Sequence, residues 1–386
     1  MEGLVYLDYN ASTPVDQLVV DEMLPFLTKQ FGNPSSKGHP FGWAADEACE
    51  KARERIAALI GATSSEITFT SGATEAVNTA IKGAARAYAS KGKHIVTVET
   101  EHRAVLHSCR ALEQDGYEVT YVPVDSQGRI DLDVLGDAVR DDTILVAVMW
   151  ANNEVGTIHP MADIARIVHE RGALLMSDAT QAVGKIPVDV AHVDLLACSG
   201  HKFYAPKGVG ALYMRRRNPR VRIIPLLDGG GHEDGRRSGT LNVPGIVALG
   251  AAAAIAGEHL DDEYARLSGL RDHFERELTK LEGVFVNGGA TERLPQTSSI
   301  RFDRTRGDGL MMEARDLAFS AGSACSSGSG NPSHVLTAMG LTPDQSLATL
   351  RISLGRFTTP EMVDHAIERL RGAVTRIRSK TAMATS

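Results

Sequence analysis

The chain has 386 residues, enough for two or three domains of ordinary size and for a large core that needs no disulfides. Its 41 Lys and Arg against 48 Asp and Glu give a formal net charge of −7, which argues against a protein that coats nucleic acid. The N-terminus lacks a secretory pattern, and the uncharged, alanine-rich stretch 243–257 is expected to be too short and too weakly apolar to cross a bilayer. A cytoplasmic protein with reduced cysteines is therefore predicted.

Short β-branched runs alternate with helix-period segments between residues 60 and 215. After a predicted helix at 40–60, strands are expected at 66–70, 94–98, 118–122, 144–149, 173–177, 194–199 and 210–214. Helices are expected among them at 73–89, 105–115 and 161–171. Strands separated by helices indicate βαβ crossovers, and so an α/β fold with a mostly parallel sheet covered on both faces.

The pattern changes after residue 215. A basic turn at 215–220 and a loop rich in glycine and charge at 228–239 precede an alanine-rich segment, which leads from residue 247 into a long charged helix ending near 281. Shorter strands follow at 298–302 and 349–353. We predict a large α/β domain at 15–250 and a smaller α+β domain formed by 1–14 and 251–386.

Residues with complementary chemistry follow three of the predicted strands. The run SGATE at 71–75 opens a helix whose exposed amides suit a phosphate, although an ordinary helix cap would look the same. Asp178 ends one strand and Lys202 follows the next, where each could also be a plain surface residue. Ligands of open α/β sheets bind beyond the carboxyl ends of strands. Together the three features predict pyridoxal phosphate, which needs a phosphate anchor, an acid for its ring nitrogen and an amine that forms an imine.

Eight motifs in order closely resemble those of the cysteine desulfurases, pyridoxal-phosphate enzymes of the class V aminotransferase group and of the NifS/IscS-like kind. The motifs are YLDYNA at 6–11, GNPSS at 32–36, TSGATE at 70–75, NNE at 152–154, DATQ at 178–181, SGHK at 199–202, RSGT at 237–240 and GSACS at 322–326. The resemblance spans about 6–360. It implies the fold type I architecture, with a seven-stranded, mostly parallel sheet in the large domain.

The resemblance also implies a role for each matching residue of the cofactor site. Lys202 should form the Schiff base and later transfer protons, Asp178 should keep the ring nitrogen protonated, Gln181 should bond the phenolic oxygen, and His102 should stack on the ring. Phosphate contacts should come from Ala73, Thr74, Ser199, His201 and, across a homodimer interface, Thr240 of the second subunit.

Three further residues are expected to receive the substrate, L-cysteine. The resemblance assigns this role to Asn33, Asn153 and Arg351, and a guanidinium suits a bidentate grip on the α-carboxylate. Taken singly, His102 and Asn153 could equally be structural polar residues, and Arg351 a charged residue at a strand end.

Cys325 lies within about 320–333, a run of small residues that favours a mobile, solvent-accessible segment. By the resemblance, its thiol attacks the sulfur of the bound substrate, leaving L-alanine and a persulfide that is passed to an acceptor protein. Only a thiolate is a good nucleophile, and His102 is the leading candidate for the base that ionises it. A spare surface cysteine is the alternative.

Other functions remain open from the residues alone. The same fold supports selenocysteine lyases and aminotransferases, or a catalytically silent assembly partner. The acceptor could belong to iron–sulfur cluster assembly, tRNA thio-modification or DNA phosphorothioation. Members that serve iron–sulfur scaffolds commonly carry a longer C-terminal tail, so the short end at 378–386 weakens that assignment and favours the specialised alternatives, DNA phosphorothioation among them. Direct contact with nucleic acid or membrane is not expected.

Overall fold

A computed structural model describes residues 3–321 and 331–384 of the chain. Its strands are β1 (Val5–Tyr6), β2 (Ile67–Thr70), β3 (His94–Val98), β4 (Glu118–Val122), β5 (Thr143–Ala147), β6 (Leu174–Asp178), β7 (Leu195–Ser199), β8 (Gly210–Met214), β9 (Val284–Val286), β10 (Thr297–Phe302), β11 (Leu317–Ala318), β12 (Ser320–Ala321) and β13 (Thr349–Ser353). Its helices are α1 (Gln17–Met23), α2 (Pro25–Thr28), α3 (Pro40–Ile60), α4 (Ala73–Ala87), α5 (Arg103–Gln114), α6 (Leu132–Ala138), α7 (Met161–Glu170), α8 (Val243–Leu278), α9 (Gly307–Glu313), α10 (His334–Ala338), α11 (Pro343–Leu347) and α12 (Pro360–Ala384).

The large sheet has seven strands in the order β2-β8-β7-β6-β5-β3-β4, and only β8 runs antiparallel to its neighbours. The predicted α/β class and mostly parallel sheet are therefore confirmed. Along β3, Ile95 belongs to the hydrophobic core on one side of the sheet, whereas Val96 and Val98 belong to the core on the other. Since both faces are covered, the strands are almost wholly apolar rather than alternating.

Helix α8 differs from its prediction, because it begins at Val243 rather than 247 and ends at Leu278 rather than near 281. The side chain of Asn242 accepts a hydrogen bond from the Gly245 amide, and a proline in the first turn costs no helical hydrogen bond. At Gly250 a Cβ would lie 2.5 Å from the Cα of Ala52, so this glycine allows α8 to pack directly on α3.

By length and composition α8 could cross a membrane, which corrects the expectation drawn from the stretch 243–257. However, 61% of its apolar window is buried inside the protein. Burial of this kind is typical of a core helix.

A second, antiparallel sheet has the order β12-β13-β10-β9, and β1 pairs separately with β11. The second half of α8 and the helix α12 pack on it around a core of its own that includes Phe274, Phe302 and Leu370. The pairing of β1 with β11 favours grouping the N-terminal residues with the C-terminal part of the chain. The predicted domain limits themselves stay a prediction.

Candidate active site

A cavity of about 700 Å³ lies where the carboxyl ends of β6 and β7 and the start of α4 face β12 and β13. The structure brings ten of the predicted site residues to its wall. They are Ala73, Thr74, His102, Asn153, Asp178, Gln181, Ser199, His201, Lys202 and Arg351.

Lys202 ends a short 3-10 turn that follows β7. Its Nζ donates to the backbone oxygens of Asn10, at 2.7 Å, and Ala11, at 2.9 Å. The N-terminal segment therefore holds the amine at the cavity, although nearly 200 residues separate the partners in sequence.

Asp178 is the last residue of β6 and is 5% exposed. Its Oδ1 accepts a hydrogen bond from the Thr180 amide at 3.0 Å, which fixes the carboxylate at the cavity wall. A buried carboxylate held in this way can partner a cation, such as a protonated ring nitrogen.

His102 caps the N-terminus of α5, where its Nδ1 accepts from the Ala104 amide at 3.1 Å. Burial lowers the pKa of His102, with the nearby Lys202 charge lowering it further and Asp178 opposing the shift. The ring is therefore neutral at neutral pH. Since Nδ1 acts as an acceptor, the neutral ring carries its proton on Nε2. His102 is thus a hydrogen-bond donor at that nitrogen.

Helix α4 offers an anion site at its first turn. Its N-cap is Gly72, with φ at +149°, which has no side chain to bond the first amides. Ala73 and Thr74 of that turn line the cavity. The first amides of a helix have no partner within the helix and carry its positive dipole end, so they suit a phosphate.

His201 adds an uncharged imidazole to the same wall. Burial lowers its pKa to about 4, helped by the charges of Lys202, Lys207 and Lys185. Its Nδ1 lies 3.3 Å from the hydroxyl of Ser12. A phosphate would therefore meet a neutral ring here rather than an imidazolium.

Arg351 lies on β13, is 3% exposed and already holds a carboxylate. One of its terminal nitrogens donates to Asp8 Oδ1 at 2.9 Å, and the other donates to the Asn153 backbone oxygen at 3.2 Å. Its Nε is buried without a hydrogen-bond partner. A guanidinium with an unused donor beside the cavity can bind a second carboxylate.

Sequence reasoning assigned no role to Asp8 or Asn10, although both line the cavity. Asp8 pairs with Arg351 and also accepts a hydrogen bond from Ser320, while Asn10 accepts one from Lys202. The motif at 6–11 includes this segment. The pairing of Asp8 with Arg351 could not be predicted, because residues more than 300 positions apart form no local sequence pattern.

Three predicted residues are not on the cavity wall. Asn33 is exposed, and its side chain accepts from the Ser35 amide at 2.9 Å. Thr240 is exposed too, and its expected place is in the site of a second subunit. Cys325 lies outside the described residues. The roles of all three stay predictions.

Glu154, next to Asn153, is a buried acid whose Oε2 accepts from the Ser333 hydroxyl at 2.5 Å. Ser333 is also the N-cap of α10. Burial raises the pKa of Glu154 to about 7, although the Ser333 bond and the Arg351 and Arg103 charges oppose the shift.

We expect Glu154→Gln to remove a pH-dependent loss of stability. From the ordinary pKa of 4.5 up to about 7, the unfolded chain ionises this group while the folded protein keeps its proton. Unfolding therefore becomes easier as the pH rises, by roughly 3 kcal/mol in total. Urea unfolding on either side of this range should show wild type losing stability relative to the variant. Parallel pH curves for the two proteins would contradict this.

The wall chemistry fits the cofactor that the sequence resemblance implies. An anion site, a buried carboxylate, an imidazole and an amine surround one cavity, and the hydroxyl of Thr180 on its wall is buried without a partner. Ala73 and Thr74 would hold the phosphate, Asp178 the ring nitrogen and Lys202 the aldehyde carbon. The arrangement can bind a phosphorylated aldehyde and, at Arg351, an amino acid.

Comparison with known proteins gives concordant results. The aminotransferase class-V family profile matches residues 5–365. The chain is 50% identical over 382 residues to "Cysteine desulfurase IscS" of Anaeromyxobacter sp. (strain K), covering 98% of this chain and 94% of that protein. Among solved structures, a "NifS-like protein" superposes with a TM-score of 0.88 at 39% identity, covering 98% of this chain and all of that one. DndA from Streptomyces lividans superposes with a TM-score of 0.77 at 35% identity, covering 90% and 99%.

Proposed function

Because this chain belongs to the class-V aminotransferase family and is a pyridoxal-phosphate-dependent cysteine desulfurase, we propose that the cavity at Lys202 is its active site and that Cys325 carries the sulfur. The observation that carries the proposal is the meeting of three groups on one cavity wall. These are the amine of Lys202, the carboxylate of Asp178 and the first turn of α4.

Each wall residue has a definite task in this proposal. When bound, the cofactor supplies the electron sink for bond breaking at the substrate carbons. Asp178 holds a proton on the ring nitrogen, and Arg351 orients the substrate by its α-carboxylate. Lys202 would hold the cofactor by its aldehyde carbon and would take the proton from the substrate Cα.

Cys325 completes the reaction as the nucleophile. Its thiolate attacks the sulfur of the bound cysteine, so an S–S bond forms and the substrate C–S bond breaks. The electron pair of that bond stays with the carbon skeleton, which takes up protons and leaves as L-alanine. The enzyme keeps the sulfur as a persulfide.

The other cysteines are poor candidates for this step. Cys49, Cys109 and Cys198 are all buried, and burial raises the pKa of each thiol to about 12. A thiol that stays protonated is a weak nucleophile. This supports Cys325 as the residue that carries the persulfide.

His102 can act as the base that ionises Cys325 only if its ring loses the hydrogen bond that Nδ1 accepts from the Ala104 amide. A proton accepted at Nε2 requires the other proton on Nδ1, where the Ala104 amide now donates. The arrangement favours His102 as a donor to a negatively charged group rather than as the first base.

The direct test is incubation of the purified protein with L-cysteine. We expect one alanine for each chain that gains a sulfur atom, with the added mass on the peptide that contains Cys325. An added sulfur on Cys49, Cys109 or Cys198, or alanine without any protein-bound sulfur, would contradict the proposal.

Arg351→Lys should weaken substrate binding more than turnover. An ammonium cannot make the forked contact, and one lost hydrogen bond to a charged group raises KM about 10- to 100-fold. Steady-state kinetics with cysteine should show this rise with kcat changed far less. Lys91→Met, remote from the cavity, is the control. An unchanged KM would remove Arg351 from substrate binding.

We further propose that the acceptor belongs to iron–sulfur cluster assembly. The 50% identity to IscS supports this use, and the 35% identity to DndA gives less support to DNA phosphorothioation. Affinity capture from the native host, followed by mass spectrometry, should recover an iron–sulfur scaffold. Recovery of a DNA- or tRNA-modifying enzyme in its place would overturn this assignment.

The proposal includes a cytoplasmic homodimer that contacts neither membrane nor nucleic acid directly. Two exposed aromatic side chains close to Asn33 in sequence support the dimer, because Phe31 is 68% and Phe41 52% exposed and their ring centroids lie 5.4 Å apart. Such a patch commonly marks a protein interface. Light scattering after size exclusion should give twice the 41.4 kDa chain mass.

A further inference from the structure

Lys185 is a partly buried lysine that the mechanism does not use. It lies four residues after Gln181, and its Nζ donates to Gln181 Oε1 at 2.6 Å. Gln181 itself is 4% exposed and lines the cavity. The ammonium therefore contacts the side of the amide that carries the oxygen.

This contact decides which way the amide of Gln181 points. With Oε1 bound to Lys185, the NH2 group lies at the other end, where Nε2 donates to the Asn10 backbone oxygen at 2.9 Å. A flipped amide would set its oxygen against that carbonyl and its NH2 against the ammonium. Both contacts would be repulsive, so only one orientation is stable.

The NH2 group has two hydrogens, and Asn10 takes one of them. The other is available to a group in the cavity. The same Asn10 oxygen also accepts from Lys202 at 2.7 Å, so Lys185, Gln181, Asn10 and Lys202 form one connected chain of hydrogen bonds. The Gln181 amide and the reactive amine are therefore held by the same carbonyl oxygen.

We propose that Lys185 is a positioning residue that locks the Gln181 amide so that it can only donate a hydrogen bond to the phenolic oxygen of the cofactor. The inference rests on the proposed function and on the role that the sequence resemblance gives to Gln181, a hydrogen bond to that oxygen. Without Lys185 only the Asn10 carbonyl opposes rotation of the amide, so the flipped form, which presents its oxygen to a phenolate, becomes more populated.

The environment of Lys185 supports this assignment. Burial lowers the pKa of Lys185 well below its ordinary value, and the charges of Lys202 and Arg351 lower it further. A charged lysine at this position lowers the stability of the folded protein. As an ammonium the Nζ can only donate a hydrogen bond, whereas a neutral amine could also accept one, so the lock belongs to the protonated form of Lys185.

The test is the pKa of the Lys202 imine in the holoenzyme, read from its visible absorbance as the pH is changed. A donor to the phenolic oxygen stabilises the form in which the imine has lost its proton. We expect Lys185→Met to raise this pKa by about one unit, the worth of one hydrogen bond to a charged group. Lys185→Arg, which keeps a donor, should have an imine pKa close to that of wild type. Lys91→Met should leave the pKa unchanged.

A double variant separates this role from a general electrostatic one. If Lys185 acts through Gln181, the pKa of Lys185→Met/Gln181→Met should equal that of Gln181→Met alone. Additive shifts, or no shift in Lys185→Met, would overturn the inference. Should Lys185→Met not fold, Lys185→Gln serves in its place, and its pKa should lie between those of wild type and Gln181→Met. A wild-type holoenzyme without an imine at Lys202 would instead overturn the proposed function.

Discussion

Replacing Lys202 by alanine is expected to abolish the imine with the cofactor and to lower the rate of alanine formation by at least about a thousandfold. The change removes the attachment point and the group that moves the substrate proton, and general acid–base catalysis alone contributes about 10²- to 10⁴-fold. Borohydride reduction and peptide mapping should find no pyridoxyl group at position 202, whereas wild type should carry one there.

Lys207 provides the matched control for this experiment. It lines the same cavity but is exposed to solvent. Lys207→Ala should therefore keep the label on Lys202 and retain most of the activity. A normal level of reducible label in Lys202→Ala, or its appearance on Lys207 in wild type, would refute the assignment of Lys202.

Cys325→Ala is expected to keep the colour of the bound cofactor but to form no persulfide and almost no alanine. The cavity residues proposed to bind cofactor and substrate are untouched, so only the attack on sulfur should be lost. Without the nucleophile the C–S bond has no route to cleavage, and we expect turnover to fall by about 10³-fold or more. Mass spectrometry and alanine assays measure the two effects.

Cys49→Ala is the control, because it removes a buried thiol of α3 that does not line the cavity. It should form the persulfide at the wild-type level. Undiminished turnover in Cys325→Ala would remove Cys325 from the mechanism and would leave this cavity to another reaction of the same family.

The strands and the polar residues at their ends could be predicted because their causes are local. Buried parallel strands are continuous β-branched runs, and each predicted strand of the large sheet lies within two residues of an observed one. Since parallel strands end at one edge, Asp178 and Lys202 could be expected to meet from sequence alone.

Contacts between distant segments could not be predicted in the same way. No local pattern pairs Asp8 with Arg351, and the buried Glu233 that binds Arg53 lies in a loop that the sequence marks only as rich in charge. The N-terminus of α8 was missed because a proline and several glycines mask the start of a helix whose stability comes from packing on α3.

The ion pair of Asp8 and Arg351 stabilises the enzyme before any substrate is bound. A guanidinium with 3% exposure and no counter-ion would destabilise the fold by several kcal/mol. Asp8 removes that penalty before substrate arrives. In the proposed function the α-carboxylate of the substrate is a second acid group on Arg351, next to Asp8, and a thiol amine without an acid group would lack this contact.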